Sequence, residues 1–397
     1  MTISSARLRG REPDSLFDIR IDADGTIRSI DPVAGNASRP EAGEEVIDAG
    51  GGLVTESFVN GHLHLDKVYT LSMLGDGALA NYHAADMGGA MTAIELAAAV
   101  KTSYDRSWII ENVRRALDLA VLNGNTVIRA FADVDTTGRL EGVAALIEAR
   151  EEYRDRVTVQ VVAFPQDGVI RDPGAEALVA EALAMGADCV GGIPWIEFTD
   201  EDAFEHIRLM MDLAEKFDVD VSMLVDDAGD AGLRTTERLA VETLRRGWQG
   251  RVTAQHARAM SRYPEPYFRR LLGLLARARV SVVSDPHTGP LHARVRELRA
   301  GGVTVALGQD DIADAYYPFG RNNMLEVAFL AAHLLWMTSS GDIEALYDMV
   351  TVDAARALGI DGWRIEVGRR PDLVVLAEQQ TAQAIATHAT PRAVIRG

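Results

Sequence analysis

The sequence predicts an α/β protein: a (β/α)8 TIM barrel carrying a small β-sandwich domain formed from both chain termini. Three observations lead there. Short apolar strands alternate with long amphipathic helices across residues 53–361, the pattern of a parallel sheet joined by helical crossovers. Eight such strands can be counted, each followed by helix-like sequence, over roughly the 250 residues a barrel needs. Residues 1–52 and 362–397 read instead as strands and tight turns, so one small domain assembled from the two ends has the barrel inserted into it.

In chain order, Phe17-Asp18-Ile19-Arg20-Ile21 and Thr26-Ile27-Arg28-Ser29-Ile30 alternate on either side of Asp22-Ala23-Asp24-Gly25, a hairpin signature. A polar segment at 34–45 then leads into the barrel. Its opening strand runs from about Leu53, through an apolar approach of Gly52, Leu53 and Val54, into the His62/His64 pair, and the others are read at 126–132, 157–164, 189–193, 219–225, 251–256, 280–284 and 303–308. Helical periodicity fills 107–122, 140–152, 174–185, 200–216, 235–246, 267–278 and 291–300. Two more helices, 323–337 and 343–358, precede a turn at 368–372 and the last strands, 373–376 and 393–396.

Composition narrows the function. A net charge of −19 is the wrong sign for a surface that tracks phosphates or adheres to an anionic membrane. No segment reaches membrane-spanning length and no targeting pattern is read at the N-terminus, so a cytoplasmic location is expected. The single cysteine, Cys189, excludes an internal disulfide framework. Lysine is scarce: Lys67, Lys101 and Lys216 are the only ones among 40 basic residues.

Barrel sites are built at the carboxyl ends of the strands. There the sequence places His62 and His64 on the first strand, Phe131 and Asp133 on the second, and Gln166 after the third. Leu224, Asp226 and Asp227 end the fifth, His256 the sixth, and Asp310 and Asp311 follow the eighth. Alternation along a strand puts His62 and His64 on one face, and two adjacent imidazoles chelate a divalent transition metal. Imidazoles and carboxylates converging from several strands suit hydrolysis by a metal-activated water with a neighbouring proton shuttle. As packing alone, so many polar groups would be costly to bury. His83, His206, His333 and His388 show no partner pattern and read as packed or surface residues, while His287 and His292 lie near the mouth.

The run Phe58-Val59-Asn60-Gly61-His62-Leu63-His64-Leu65-Asp66-Lys67 resembles the first-strand motif of the amidohydrolase superfamily. More narrowly it resembles the cytosine deaminase and N-isopropylammelide amidohydrolase branch, where an Asp-Lys pair also follows. The likeness extends to Val161-Val162-Ala163-Phe164-Pro165-Gln166, Gly191-Gly192-Ile193-Pro194, Arg251-Val252-Thr253-Ala254-Gln255-His256 and Leu307-Gly308-Gln309-Asp310-Asp311. It continues at Tyr317-Pro318-Phe319-Gly320 and from Val367 to Leu376, so it covers nearly the whole chain.

The resemblance implies one divalent metal, zinc or iron, held by His62, His64 and Asp310. It implies that His256 orients the attacking water or the tetrahedral intermediate, and that Asp227 stands where the family has a glutamate that protonates the substrate ring. Asp227, His256 and Asp310 are thus the expected catalytic residues. Gln166 would hydrogen-bond a ring carbonyl or ring nitrogen, with Asp311, Lys67, Phe131 and Trp195 as further substrate-site residues. No lysine ends the third or fourth strand, which argues against the two-metal, carbamylated-lysine form.

Three positions depart from the family. Leu224 replaces a ligand histidine, Phe131 stands where a histidine is common, and so does Gln309. Either Asp226, two residues beyond Leu224, or His256 is then the replacement ligand. The expected activity is hydrolysis of a C–N bond, by deamination or amide/amine hydrolysis, in a small nitrogen-containing cyclic substrate. The alternative is a metal-free relative, either using carboxylate and histidine acid–base chemistry or binding a ligand silently. Its carboxylates would need protonation or pairing with Lys67 or Arg129. The only partner expected besides the small molecule is a second copy of the chain, through the apolar helix at 324–337.

Overall fold

The computed structural model describes residues 1–12, 14–33, 44–74, 94–95 and 97–397. The polar segment at 34–45 lies outside these residues except for its last two, and so do His83 and most of the connection after the first barrel strand.

The small domain comprises β1 (Thr2–Leu8), β2 (Phe17–Ile21), β3 (Ile27–Pro32), β4 (Val46–Asp48) and β5 (Leu53–Glu56). Two strands from the other end, β14 (Leu373–Val375) and β15 (Ala393–Ile395), complete it. β1 joins its two halves: Thr2 to Ser4 pair with β4, and Arg7 and Leu8 pair with β5. Between these stretches Ser5 takes a left-handed φ of 54°, which turns the strand from one partner to the next. Ile3, Ile19, Ile27, Val54, Leu373 and Val375 form the buried core.

Eight strands make the barrel: β6 (Phe58–His64), β7 (Asn125–Asp133), β8 (Thr158–Phe164), β9 (Cys189–Gly192), β10 (Asp220–Val225), β11 (Val252–His256), β12 (Ser281–Ser284) and β13 (Val305–Leu307). They pair in parallel in chain order. β5 belongs to the small sheet, paired with β1 and β14, so the crossing into the barrel falls at Ser57, later than residue 53. The apolar Leu53-Val54 pair is buried on both faces and therefore reads like a barrel strand.

The helices lie where periodicity put them, with ends shifted by up to four residues: Arg106–Leu122, Glu141–Tyr153, Ala175–Ala184, Asp200–Phe217, Thr235–Arg246, Glu265–Ala278 and Val295–Ala300. The expected helix at 343–358 is two, Ser340–Asp348 and Val352–Ala357, and Thr381–Thr387 is a helix the sequence reading lacked. Val352–Ala357 packs Ala354, Ala355 and Leu358 against Val59, Val127, Val283 and Ala306 and plugs the amino-terminal end of the barrel.

Closure between the first and last strands positions the site. Leu63 bridges Asp310, the Asp310 N–H donates to the His62 carbonyl at 2.9 Å, and the His64 N–H donates to the Asp310 carbonyl at 2.8 Å. Asn60 Oδ1 also accepts the Gln309 N–H at 3.0 Å. The seam that closes the barrel thus fixes the backbones of the histidine pair and the aspartate together.

Candidate active site

At the carboxyl end of the barrel, three imidazoles surround one carboxylate oxygen. His62 Nε2 lies 3.1 Å from Asp310 Oδ1, and His64 Nε2 and His256 Nε2 lie 3.8 Å from it. All four side chains are buried. Two overlapping sets, His62/His256/Asp310 and His64/Asp310/Asp311, bring their donor atoms within 4.8 Å of one another. Both ring nitrogens of His62 and Nδ1 of His64 have no hydrogen-bond partner among the described residues. Buried lone pairs are otherwise satisfied, and ligands about 2.1 Å from a tetrahedral ion sit roughly 3.4 Å apart. The donor set therefore fits a divalent metal.

His256 and Ala257 both take left-handed φ values, 62° and 50°, and this turn aims the imidazole inward at the end of β11. Asp285 Oδ2 sits 3.0 Å from His256 Nδ1, leaving Nε2 for the cavity, the usual second partner of a ligating histidine. Gly308 permits this approach: a Cβ there would lie 2.3 Å from Asp285 Oδ1 and 2.6 Å from the His62 Cβ.

The counter-charge comes from a residue the sequence reading missed. Arg258 Nη1 donates to Asp227 Oδ1 at 2.8 Å, and its Nη2 donates to Thr288 Oγ1 at 2.6 Å and reaches within 3.5 Å of Asp310 Oδ2. Thr288 Oγ1 donates in turn to Asp310 Oδ2 at 2.6 Å. Neither cation proposed from sequence does this. Arg129 points to the opposite end of the barrel, bonded to Gln160, Thr253 and the Leu358 carbonyl, from the middle of β7, below the mouth. Lys67 sits behind Gln166, paired with Asp133 at 2.9 Å.

Burial raises the Asp227 carboxyl above the usual range, against the pull of Arg258 and His256. For His256 burial favours the neutral ring, but Asp227 and Asp310 outweigh it and raise its pKa. His64 is held well below its ordinary value by burial and by Lys67 and His62, which suits a neutral ligand. Burial and the neighbouring Asp310 and Asp314 hold Asp311 well above the carboxylate range.

A small pocket opens over this cluster. One wall is polar, with His64, Gln166, Asp227, His256, Asp310 and Asp311; the other is Ile94, Ile193, Trp195, Leu224 and Tyr316. Of the substrate-site residues expected from sequence, Gln166, Asp311 and Trp195 line the pocket and Phe131 and Lys67 do not. Phe131 is fully buried against the His62 ring, centroids 4.2 Å apart, and so supports the ligands from behind.

Asp226 is not the replacement ligand. Its φ of 47° ends the strand alternation that would have aimed it with Leu224. Its carboxylate instead accepts from the Thr235 N–H and hydroxyl, the Thr236 N–H and the Tyr263 hydroxyl at 2.6–3.0 Å, capping Thr235–Arg246. His206 is packed, as expected: its Nδ1 contacts Glu197 Oε1 at 2.7 Å and its Nε2 accepts the Ile193 N–H.

Comparison with known proteins agrees with this geometry. The sequence profile of the amidohydrolase family matches residues 45–397. The chain belongs to the amidohydrolase family. It is a hydrolase acting on C–N bonds, and the branch resemblance read from sequence holds. This amidohydrolase is 31% identical over 387 residues to the N-isopropylammelide isopropyl amidohydrolase of Pseudomonas sp. (strain ADP), covering 97% of this chain and 93% of that one. It is 27% identical over 394 residues to the pterin deaminase of Rhizobium rhizogenes, covering 94% and 85%. The structure of 5-methylcytosine deaminase from Klebsiella pneumoniae, liganded with 5-fluorocytosine, superposes with a TM-score of 0.90 at 30% identity, over 100% of this chain and 96% of that one. Among the described residues, no helix is long and apolar enough to cross a membrane.

Proposed function

We propose that this amidohydrolase hydrolyses the bond between a ring carbon and an exocyclic nitrogen in a small, nitrogen-rich planar heterocycle, with one divalent metal held by His62, His64 and Asp310. The observation that carries the reading is the convergence of three imidazole Nε2 atoms, of His62, His64 and His256, within 3.8 Å of Asp310 Oδ1, at the base of a pocket whose other residues include Asp227 and Gln166. The names of the relatives support the substrate class, since N-isopropylammelide, pterin and 5-methylcytosine are all heterocycles bearing an exocyclic nitrogen.

A bound divalent ion would make water a nucleophile near neutral pH and polarise the carbon under attack. The chain's own groups manage the protons. Asp227 Oδ2 lies 4.0 Å from His256 Nε2, close enough for the two to share the proton of an incoming water through a small adjustment. The Asp227 carboxyl, protonated more readily than usual because it is buried, delivers a proton to the leaving nitrogen. Arg258 fixes Asp227 Oδ1 and so leaves Oδ2 to the pocket.

One observation favours a second reading. Arg258 already places a guanidinium against Asp227 and Asp310, while Leu224 offers no ligand, so a metal-free relative has a cation available. The deciding experiment is elemental analysis of protein purified without added metal or chelator, for the native chain and Leu224→His, followed by a screen of pyrimidines, triazines and pterins for amine or ammonia release. Stoichiometric zinc or iron with turnover of one class supports the hydrolase. Metal uptake by Leu224→His alone would overturn it in favour of the metal-free reading.

A further inference from the structure

Two of the three lysines in the chain are buried behind Gln166, outside the lining of the pocket, Lys67 at 5% and Lys101 at 3% exposure. They share Asp133: Lys67 Nζ lies 2.9 Å from its Oδ1 and Lys101 Nζ 3.2 Å from its Oδ2. Lys101 also meets Asp135 at 3.1 Å and Asp167 at 2.8 Å, and so anchors the turn that carries Gln166. Lys67 does something different. Its ammonium donates to Gln166 Oε1 at 3.0 Å.

An ammonium has three donors and no acceptor, so it selects one of the two orientations of the Gln166 amide. The oxygen must face Lys67, because the flipped amide would set an NH2 group against the ammonium. Gln166 Nε2 has no acceptor among the described residues, and Gln166 lines the pocket. Gln166 therefore presents hydrogen-bond donors to the pocket.

Resting on the heterocycle reading above, we propose that Lys67 is a positioning residue that sets substrate specificity. By holding Gln166 Oε1 it turns the amide N–H groups to the pocket, so that the site takes rings with a carbonyl or unprotonated nitrogen at that edge and refuses rings with an amino group there. Lys101 supports the same network but touches no atom of the Gln166 side chain, and so separates positioning from mere stability.

The test uses metal-loaded enzyme and two matched pairs that differ by one carbonyl-to-amino exchange, cytosine against 2,4-diaminopyrimidine and ammeline against melamine. Affinity is measured by calorimetry, or as KM where turnover occurs. The native enzyme is expected to prefer the carbonyl member by at least about tenfold, because the amino member leaves the Gln166 donors unpaired. Lys67→Met, which frees the amide to flip, should bring the members to within about threefold, while Lys101→Met lowers the melting temperature and keeps the preference. Where Lys67→Met does not fold, Gln166→Glu decides: its carboxylate pairs with Lys67, presents no donor, and should remove the preference. No preference in the native enzyme, persistence of it in Lys67→Met or Gln166→Glu, or equal loss in Lys101→Met overturns the proposal. If no member of either pair binds, the heterocycle reading itself falls and takes this inference with it.

Discussion

The barrel buries a polar cluster at each end, and the two are built on opposite principles. At the amino-terminal end Arg129, 1% exposed, donates to Gln160 Oε1 at 2.8 and 3.0 Å, to Thr253 Oγ1 at 3.1 Å and to the Leu358 carbonyl at 3.2 Å. Gln255 and Thr253 both donate to Ser222 Oγ. At the carboxyl end the His62 nitrogens and His64 Nδ1 meet no hydrogen-bonding partner among the described residues. A buried cation that finds its acceptors within the protein is architecture. Imidazoles and a carboxylate brought from separate strands to one point, with some of their nitrogens unpaired, are a site built to hold a ligand. Gln255 Oε1 is also unpartnered among the described residues, so what distinguishes the ends is convergence: three imidazole nitrogens lie within 3.8 Å of one carboxylate oxygen at one end and a single cation meets its acceptors at the other.

The largest effect should come from breaking the open end. His62→Ala removes a donor that both faces Asp310 and packs on Phe131. Metal affinity, measured by chelator competition, should fall by more than about 100-fold, since losing even the support of a ligand costs roughly 10–100-fold. Turnover should vanish with it. Metal retained at native affinity would show that the unpaired nitrogens are not ligands.

The converse experiment is at the closed end. Arg129→Met strands Gln160 Oε1, while the Leu358 carbonyl keeps the Gln160 amide donor at 3.2 Å, and should cost about 2 kcal/mol in chemical denaturation. Metal stoichiometry should not change. A loss of metal in a folded Arg129→Met protein would mean that the two ends are coupled and that the contrast between them is false.

Much of this contrast was legible in the sequence, but unevenly. The eight strands, their order and the His62/His64 pair follow from periodicity and alternation, which are local and survive folding. The position of Arg129 was misread because a strand pattern gives the face of a residue and not its height in the barrel. Asp226 was misread for a different reason: alternation holds only while the strand continues, and a left-handed residue ends it there. Arg258 and Lys101 escaped because each acts through contacts distant in sequence, with Asp310 and Asp133.

A third buried cluster sharpens the comparison with the smallest effect. Glu197 accepts the Val169 and Ile170 N–H groups on Oε1 and the Arg171 N–H on Oε2, with His206 Nδ1 2.7 Å from Oε1. It braces the turn after Gln166, and Gly168 leaves the room: a Cβ there would lie 2.8 Å from Glu197 Oε1. Burial works against its charge, but His206 and the backbone donors outweigh burial and hold the carboxyl below its ordinary 4.5. Between the lowered native value and 4.5 the unfolded chain binds more protons than the folded one, so this contribution is complete above that window and is lost as pH falls through the native value. Glu197→Gln should cost about 2 kcal/mol at neutral pH and make stability less dependent on pH below 4.5, measured by urea melts from pH 3 to pH 7. Metal content should remain native, because this cluster, like the one around Arg129, finds its partners within the chain. An unchanged acid limb would show that Glu197 holds no charge that the fold depends on, and would move it from the closed class of cluster to the open one.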